Sequence, residues 1–308
     1  MIAVVSSAPS PFVVLRGAAG LLVGHVAVGN GVAGLVQRRG EDPGLSYTAA
    51  VLGGGEAVHG GNAAGLVCAA LDGGGHGAVA QVLERAHTVA EAVALLRGAP
   101  PPAAPGRGLA LLLADPLTQV VVELAGEGGV NEREADAEGV PEGAAPVEAL
   151  IARLRELEPE PREGAVAVAA LAAELGPGAE PRLHLALGPP CCAVFARHWP
   201  GVELVADESA TPEGAPLARL AAAVAQATAT DPELRAAARH RLDAAEAEAL
   251  REGEAAERMA AHMDAQTDDR GAAVRRLVAQ SHAAELARRA LEELAVPAPP
   301  GSRPGPGL

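Results

Sequence analysis

The sequence lacks most of the side chains that usually anchor a protein core, and it lacks lysine altogether. Aromatic residues make up 1% of the 308 positions, namely Phe12, Tyr47, Phe195 and Trp199. A core must therefore be built from Ala, Val and Leu, because large aromatic anchors are scarce. All 24 basic residues are arginine, and Ala, Gly and Pro abound, a bias typical of GC-rich coding. The hydrophobic fraction of 49% is still that of a folded globular protein.

Positive charge and long apolar runs are also scarce. The formal net charge is -15 and the pI is near 5.0. Phosphates would be repelled on average, which argues against nucleic acid or an anionic membrane as the main partner. No run of about eighteen uncharged apolar residues occurs, and the N-terminal segment has no basic start and contains Pro9 and Pro11. We therefore expect a cytoplasmic protein that makes no use of a membrane.

Cysteine is too rare for a disulfide framework. The three cysteines are Cys68, Cys191 and Cys192, and two residues adjacent in sequence seldom bridge each other. We expect all three to be buried small side chains in a reducing compartment.

Patterns that hold metals or cofactors are missing as well. The nine histidines show no helical zinc spacing, and His262, Asp264 and His282 fit a solvated polar face better than a metal site. Glycine clusters at 53–55 and 73–75 lack the Gly-Lys-Ser/Thr sequence that follows a phosphate-binding loop. We interpret them as turns and expect no metal and no cofactor.

Short apolar runs separated by glycine clusters predict a strand-rich N-terminal region. The expected strands are 12–15, 20–28, 32–37, 47–52, 64–71, 108–114, 118–125 and 181–187. Helices are expected over 77–97, where Thr88 and Glu91 form a capping box, and over 146–175. The segment 131–161 is acidic and predicts a surface excursion that contains the start of the second helix. Residues 12–126 and 181–197 should form two stacked antiparallel sheets flanked by these helices.

The C-terminal third changes character. Helical periodicity, with Glu and Arg on the other faces, runs through 216–229, 232–266 and 269–294. We expect three parts: a main domain at 1–206, a helical extension at 207–296 and a disordered tail at 297–308. The aromatic residues Phe195 and Trp199 should pin the extension onto the core.

Four segments in a fixed order resemble a known family. They are Phe12-Val-Val-Leu with Gly20-Leu-Leu-Val-Gly-His25, His59-Gly-Gly-Asn-Ala-Ala-Gly-Leu-Val-Cys68, Leu111-Leu-Leu-Ala-Asp115 with Gln119-Val-Val-Val-Glu-Leu-Ala-Gly126, and Leu185-Ala-Leu-Gly-Pro-Pro-Cys191-Cys-Ala-Val-Phe195. This order is similar to the secernin and dipeptidase group, the peptidase C69 family of N-terminal-nucleophile (Ntn) hydrolases. The strongest pieces are 61–65 and the hairpin start at 112–115.

The resemblance implies an α+β fold, a four-layer αββα sandwich, and a mature chain that begins with cysteine. In that family the free α-amine of the cysteine is the base for its own thiol. Here Pro9 stands at the nucleophile position, and proline has neither a thiol nor a primary amine. The turn at 24–29 also lacks the Asp and Arg that resemble substrate-orienting residues in the family.

Two candidate catalytic residues are left. Asn62 stands on a matching position, where its amide could stabilise an oxyanion, but it could equally be a turn residue. Ser10, Ser6 or Ser7 could become N-terminal after processing and replace the cysteine. Ser10 is one residue from the aligned position, a shift that would invert its direction in a strand.

The sequence therefore predicts a catalytically degenerate secernin-like homologue that acts by binding a small peptide or acyl-amide ligand. The alternative is an active dipeptidase or amide hydrolase that uses a processed N-terminal serine. A third possibility is an interaction protein whose acidic C-terminal helices dock a protein partner. The N-terminal residue of the mature protein separates these alternatives, because a start at Met1 or Ile2 excludes an Ntn mechanism, whereas a start at Ser10 would restore it.

Overall fold

The computed structural model describes residues 10–29, 33–38, 42, 45–52, 55–71, 76–101, 109–124, 129–141, 145–157, 166–200, 202, 214–266 and 269–295. The candidate residues Ser6, Ser7 and Pro9 lie outside the described residues. So do the predicted tail at 297–308 and the glycine cluster at 73–75.

The described residues form a mixed α+β structure, as predicted. The strands are β1 (Phe12–Gly17), β2 (Gly20–Gly29), β3 (Gly34–Arg38), β4 (Tyr47–Val51), β5 (Ala57–Asn62), β6 (Val67–Ala70), β7 (Leu109–Ala114), β8 (Gln119–Leu124), β9 (Val130–Glu134), β10 (Glu138–Gly139), β11 (Val166–Leu175), β12 (Arg182–Leu187) and β13 (Ala196–His198). The helices are α1 (His76–Arg85), α2 (Val89–Gly98), α3 (Pro146–Glu156), α4 (Gly214–Thr228), α5 (Pro232–Asp264) and α6 (Asp269–Ala295).

The strands form two sheets within the described ranges. A six-stranded sheet has the order β10-β1-β2-β11-β12-β13, and a seven-stranded sheet runs in sequence order from β3 to β9. Neighbouring strands are antiparallel except for the pair of β1 with β10, which is parallel. The short β10 covers one edge of the six-stranded sheet.

Strand β11 corrects the sequence prediction, which extended a helix to residue 175. It pairs with both β2 and β12. Its side chains alternate, with Ala170 and Ala172 packing on the α3 side and Leu171 and Ala173 packing toward the other sheet. A strand buried on both faces shows no polar alternation, so its run of Ala and Leu looks like a buried helix.

Strand β5 was missed by the sequence prediction because glycine weakens a strand pattern. Both glycines of this strand allow a close approach. A Cβ on Gly60 would lie 2.3 Å from the Thr48 carbonyl oxygen, and a Cβ on Gly61 would lie 2.9 Å from Leu183 of the six-stranded sheet. A larger side chain at Gly60 therefore requires a shift of the neighbouring strand, whereas one at Gly61 has to displace the end of the Leu183 side chain.

Apolar clusters fill the space on both sides of each sheet. One cluster joins the facing surfaces of the two sheets and includes Phe12, Leu112 and Leu171. Helices α1 and α2 pack against the opposite surface of the seven-stranded sheet. Helix α3 packs against β1, β2 and β11, and it comes so close that a Cβ on Gly24 would lie 2.8 Å from Leu154.

The aromatic residues near β13 hold the C-terminal helices, which confirms the prediction for Phe195 and Trp199. Both side chains are fully buried. The Trp199 indole N–H donates to the Glu257 carboxylate on α5 at 2.6 Å, and the Arg197 guanidinium lies 4.9 Å from the centre of the indole ring. Among the helices described, none has both the length and the apolar character needed to cross a membrane.

Candidate functional site

Ser10 lies at the entrance to β1 and connects the two sheets. Its backbone N–H donates to the Leu71 carbonyl, just after β6, at 3.2 Å. Its Oγ accepts from the Val28 N–H of β2 at 3.4 Å. The side chain is buried. The backbone N–H and the side-chain hydroxyl of Ser10 therefore both form hydrogen bonds with the backbone next to or within the sheets.

Asn62 ends β5 on the side of the seven-stranded sheet that faces α1. Its Nδ2 donates to the carbonyls of Leu83 at 3.1 Å and Ala86 at 2.8 Å, and its Oδ1 accepts from the Leu66 N–H at 3.0 Å. These bonds close the turn into β6 and satisfy carbonyls at the end of α1, which lack partners inside the helix. Both amide protons are used in this way, so the geometry matches the turn interpretation of Asn62.

The structure does not bring Ser10 and Asn62 together. Gly61, next to Asn62, faces the six-stranded sheet, where Leu183 approaches it. Because adjacent side chains of a strand point to opposite faces, Asn62 points away from the space between the sheets. Ser10 bonds to β2 of the six-stranded sheet and belongs to the opposite side.

The space between the sheets contains a pair of histidines to which sequence analysis assigned no role. His25 of β2 and His59 of β5 are both completely buried, and their Nδ1 atoms are 2.8 Å apart. The rings meet edge to face at 86°. One Nδ1 must donate while the other accepts, which requires complementary neutral tautomers. Burial, and then the neighbouring His25, hold the pKa of His59 well below its usual range.

Strand register places this pair at the meeting point of two rows of side chains. On the six-stranded sheet the row is Phe12, His25, Leu171, Leu185 and Ala196. On the seven-stranded sheet the row is Leu35, Ala50, His59 and Ala69. The two histidines are 34 positions apart and follow no motif spacing, so the pairing of the sheets is what brings the rings together.

A cavity of about 480 Å³ lies at the outer end of both rows. Residues of β3, β12 and β13 line one side, and residues of α4 and α6 line the other. Pockets for small molecules usually measure roughly 300–1,000 Å³. The strands β12 and β3 are each two strands away from the histidine pair, or about 10 Å at the usual strand spacing. The pair therefore does not line the cavity.

Two buried polar side chains line this mostly apolar cavity. His198 is 9% exposed and Gln280 is 3% exposed. The His198 Nδ1 and the Gln280 Nε2 have no hydrogen-bond partner among the described residues. The Gln280 Oε1 accepts from Gln37 Nε2 at 3.4 Å. Burial, with a smaller effect of His184, lowers the pKa of His198 to about 3, so its imidazole is neutral at physiological pH.

The cysteines are placed largely as expected, with one correction. Cys68 and Cys192 are buried, whereas Cys191 is half-buried. Burial raises the pKa of the Cys68 thiol far above its usual range. A hydrogen bond from Cys191, whose Sγ lies 3.5 Å away, lowers the pKa of Cys192 to about 7 against the effect of burial.

No group of three or more metal-ligating side chains occurs in the part of the chain that the structure describes. The residues considered at the C-terminal helices have other contacts. Asp264 forms an ion pair with Arg276 at 3.4 Å, and the His262 Nε2 lies 3.0 Å from Gln266 Nε2. These contacts lie along and between α5 and α6.

Comparison with known proteins gives little. No protein-family model matches the chain, and no curated protein matches it in sequence. Among solved structures, penicillin V acylase from Agrobacterium tumefaciens is similar with a TM-score of 0.43 and 14% identity, over 61% of this chain and 86% of that one. At this level of similarity, function has to be argued from the chain's own geometry.

Proposed function

We propose that the chain is a catalytically degenerate relative of the Ntn amide hydrolases, of the secernin type, that binds a small ligand without cleaving it. The stacking of α1 and α2, the seven-stranded sheet, the six-stranded sheet and α3 supports an αββα sandwich as the frame. In this proposal residues 1–206 form the sandwich and residues 207–296 form its helical extension.

The separation of Ser10 from Asn62 carries the proposal. A catalyst of this type needs one residue that is both nucleophile and base, with a donor close to the carbonyl oxygen under attack. Ser10 and Asn62 project to opposite sides of the seven-stranded sheet, so they cannot act on the same carbonyl group. The hydrogen bonds that both residues make within the fold support structural roles for them.

The cavity at the sheet edge supports the binding part of the proposal. It lies between the sandwich and helices α4 and α6, and its size suits a small peptide or an acyl amide. A protein partner on the acidic C-terminal helices stays a prediction from the sequence.

A hydrolysis assay tests the proposal. The protein is expressed without a tag at its N-terminus, its mature N-terminal residue is read by Edman sequencing, and it is incubated at high concentration with dipeptides and with N-acyl amides. We expect a start at Met1 or Ile2 and no turnover above a heat-killed control. The Ser10→Ala variant should give the same result as the unmodified protein in this assay. Dipeptide cleavage that starts with a Ser10 N-terminus and disappears in Ser10→Ala would show that the chain is an active enzyme.

A second arm of the same test uses the absence of the substrate-orienting Asp and Arg. Cysteine placed at position 9 behind a cleavable tag should not produce activity, because residues 24–29 lack the Asp and Arg expected in the family; they lie in strand β2 and not in the turn that the resemblance implies. A hydrolase created by Pro9→Cys alone would mean that the remaining site is intact.

A further inference from the structure

Cys191 and Cys192 bring two thiols into contact at a junction of the fold. They lie in a short 3-10 helix (Pro190–Cys192) between β12 and β13. Helix α3 of the sandwich and helices α4 and α5 of the extension contact this segment. Both residues carry thiols, and the Cys191 S–H donates to the Cys192 sulfur across 3.5 Å. The two side chains therefore form a donor and acceptor pair where the extension meets the sandwich.

The two cysteines differ in their exposure. Cys192 is 2% exposed, whereas Cys191 is half-buried. The Cys192 Sγ also lies 4.0 Å from Thr228 Oγ1 of α4, whose hydroxyl donates to the Val224 carbonyl at 2.8 Å. A reagent from solution therefore meets Cys191 first, and Cys192 lies behind it.

Several contacts favour a thiolate at Cys192. A hydrogen bond from Cys191 is the main reason why the pKa of Cys192 is lowered to about 7, and burial acts against it. Thr228, Arg239 and Arg235 add to the lowering. The Arg239 Nη1 donates to the Cys191 carbonyl at 3.3 Å, which places a guanidinium beside the cysteine pair.

Carboxylates near the pair are compensated by arginines. Arg239 forms ion pairs with Asp243 at 2.6 Å and with Glu246 at 4.0 Å. Arg155 of α3 binds the Glu246 carboxylate at 2.5 Å and Asp243 at 3.5 Å. Two negative charges thus face two positive ones, and Arg235 brings a third positive charge to the same side of α5. A thiolate at this junction is therefore not opposed by uncompensated negative charge from these helices.

We propose that Cys191 is a covalent modification site for small disulfides, and that Cys192 activates it by accepting its proton. A nucleophile is activated by a base within hydrogen-bond reach, and thiol–disulfide exchange proceeds through attack by a thiolate. The assignment uses residues outside the cavity and is independent of the proposed function.

The exchange leaves all atoms and electrons balanced. The Cys191 sulfur attacks one sulfur of a disulfide R–S–S–R while its proton passes to the Cys192 thiolate. A bond forms between Cys191 and that sulfur, the S–S bond of the reagent breaks, and R–S⁻ leaves. The leaving group takes the proton from Cys192, which returns to the thiolate. The products are a mixed disulfide on Cys191 and one R–SH.

The spacing of the pair stops the reaction at the mixed disulfide. A second cysteine often resolves such an intermediate by closing an intramolecular disulfide. Disulfides usually join residues whose Cα atoms are roughly 4.4–6.8 Å apart, whereas a trans peptide bond holds adjacent Cα atoms about 3.8 Å apart. The bond between Cys191 and Cys192 is trans. We therefore expect the modification to accumulate on Cys191.

The pH dependence of the reaction tests the activation. Dithiodipyridine is mixed with the native full-length protein at pH values from 6 to 10, and the released thiopyridone is followed by its absorbance. We expect one fast equivalent per chain, with a half-maximal rate near pH 7 instead of the value of about 8.5 for an ordinary thiol. A midpoint near 8.5 overturns the activation by Cys192. Two fast equivalents per chain overturn the arrest at the mixed disulfide.

Variants separate the roles of the cysteines. Cys191→Ser should remove the fast reaction. Cys192→Ser keeps the nucleophile without its proton acceptor, so the midpoint should move to about 8.5 and the rate at pH 7 should fall about 3-fold. This figure combines a roughly 15-fold loss of thiolate with a roughly 5-fold gain in its nucleophilicity. Cys68→Ser, at a buried cysteine of β6, is the matched control and should change neither value. An unchanged midpoint in Cys192→Ser overturns its role.

Oxidised glutathione tests where the modification accumulates. After incubation with the native protein, peptide mass should show one glutathionyl group on Cys191 and an unmodified Cys192. A Cys191–Cys192 disulfide as the main product, or a glutathionyl group on Cys68 instead, overturns the assignment. The pH profile of the unmodified protein decides the activation even if a variant fails to fold. None of these results depends on whether the chain hydrolyses amides or binds a ligand in its cavity.

Discussion

Acid should destabilise this protein in a pH range set by its buried histidines, and His198 gives the clearest case. Its pKa is about 3 in the folded protein, against an ordinary value of 6.5. The unfolded chain therefore binds a proton below pH 6.5 that the folded protein does not bind. The stability from neutral His198 is complete above pH 6.5 and is lost as the pH falls toward the folded pKa.

The magnitude follows from the difference between the two pKa values. At pH 5 the solution is about 1.5 units below the pKa of the imidazole in the unfolded chain, while the imidazole in the folded protein is still neutral. At 1.36 kcal/mol per unit, the free energy of unfolding falls by about 2 kcal/mol. Burial also lowers the pKa values of His59 and His184, which adds to the effect in the same direction. The pKa values of Glu174 and Glu257 are also lowered, from the usual value of 4.5. The stability that these carboxylates contribute is therefore lost only at pH values below those at which the histidines act.

Urea unfolding followed by Trp199 fluorescence at pH 5, 6, 7 and 8 measures this effect. The free energy of unfolding of His198→Gln should fall about 2 kcal/mol less between pH 7 and pH 5 than that of the unmodified protein. His282→Gln, at an exposed position on α6, is the control and should follow the unmodified protein. The reasoning is refuted if His198→Gln loses as much stability on acidification as the unmodified protein.

Three further predictions concern packing, hydrogen bonding and thiol exposure. Trp199→Ala should lower the free energy of unfolding by about 3 kcal/mol, because it removes a buried ring and leaves Glu257 without its indole donor; an unchanged urea midpoint would contradict this. Asn62→Leu should lower it by about 2 kcal/mol or more by leaving three backbone groups unpaired; an unchanged urea midpoint would mean that these hydrogen bonds contribute little. Iodoacetamide should alkylate Cys191 first in the native protein and Cys68 only in urea, as read by peptide mass; early labelling of Cys68 would contradict its burial.

Local patterns determined several elements correctly from the sequence. The capping box forms, since the Glu91 N–H donates to Thr88 Oγ1 at 3.2 Å at the start of α2. The predicted hairpin of β7 and β8 forms around Asp115, whose Oδ1 accepts from the Leu117 and Thr118 N–H groups at 2.9 Å. Both features depend on residues within four positions of each other, and for that reason a sequence can specify them.

Strands β5 and β11 could not be predicted from local sequence patterns. Their assignment depends on partners distant in sequence: β5 needs Leu183 to explain Gly61, and β11 needs sheets and helices on both of its faces. Asn62 shows the same limit for a site residue. Its motif suggests either an oxyanion donor or a turn, and its bonds to the carbonyls of Leu83 and Ala86, 21 and 24 positions away, are not visible in that motif.

By itself, the sequence determined the mixed α+β class, the helical C-terminal part and the role of Phe195 and Trp199, because composition, periodicity and local hydrogen bonds carry that information. The tertiary structure alone decided which buried polar side chains meet. His25 meets His59, and Gln280 of α6 meets the β3 side of the cavity through Gln37, because two sheets and the last helices stack in one register. Contacts across 34 and 243 positions depend on the packing of whole layers, and no local pattern encodes them.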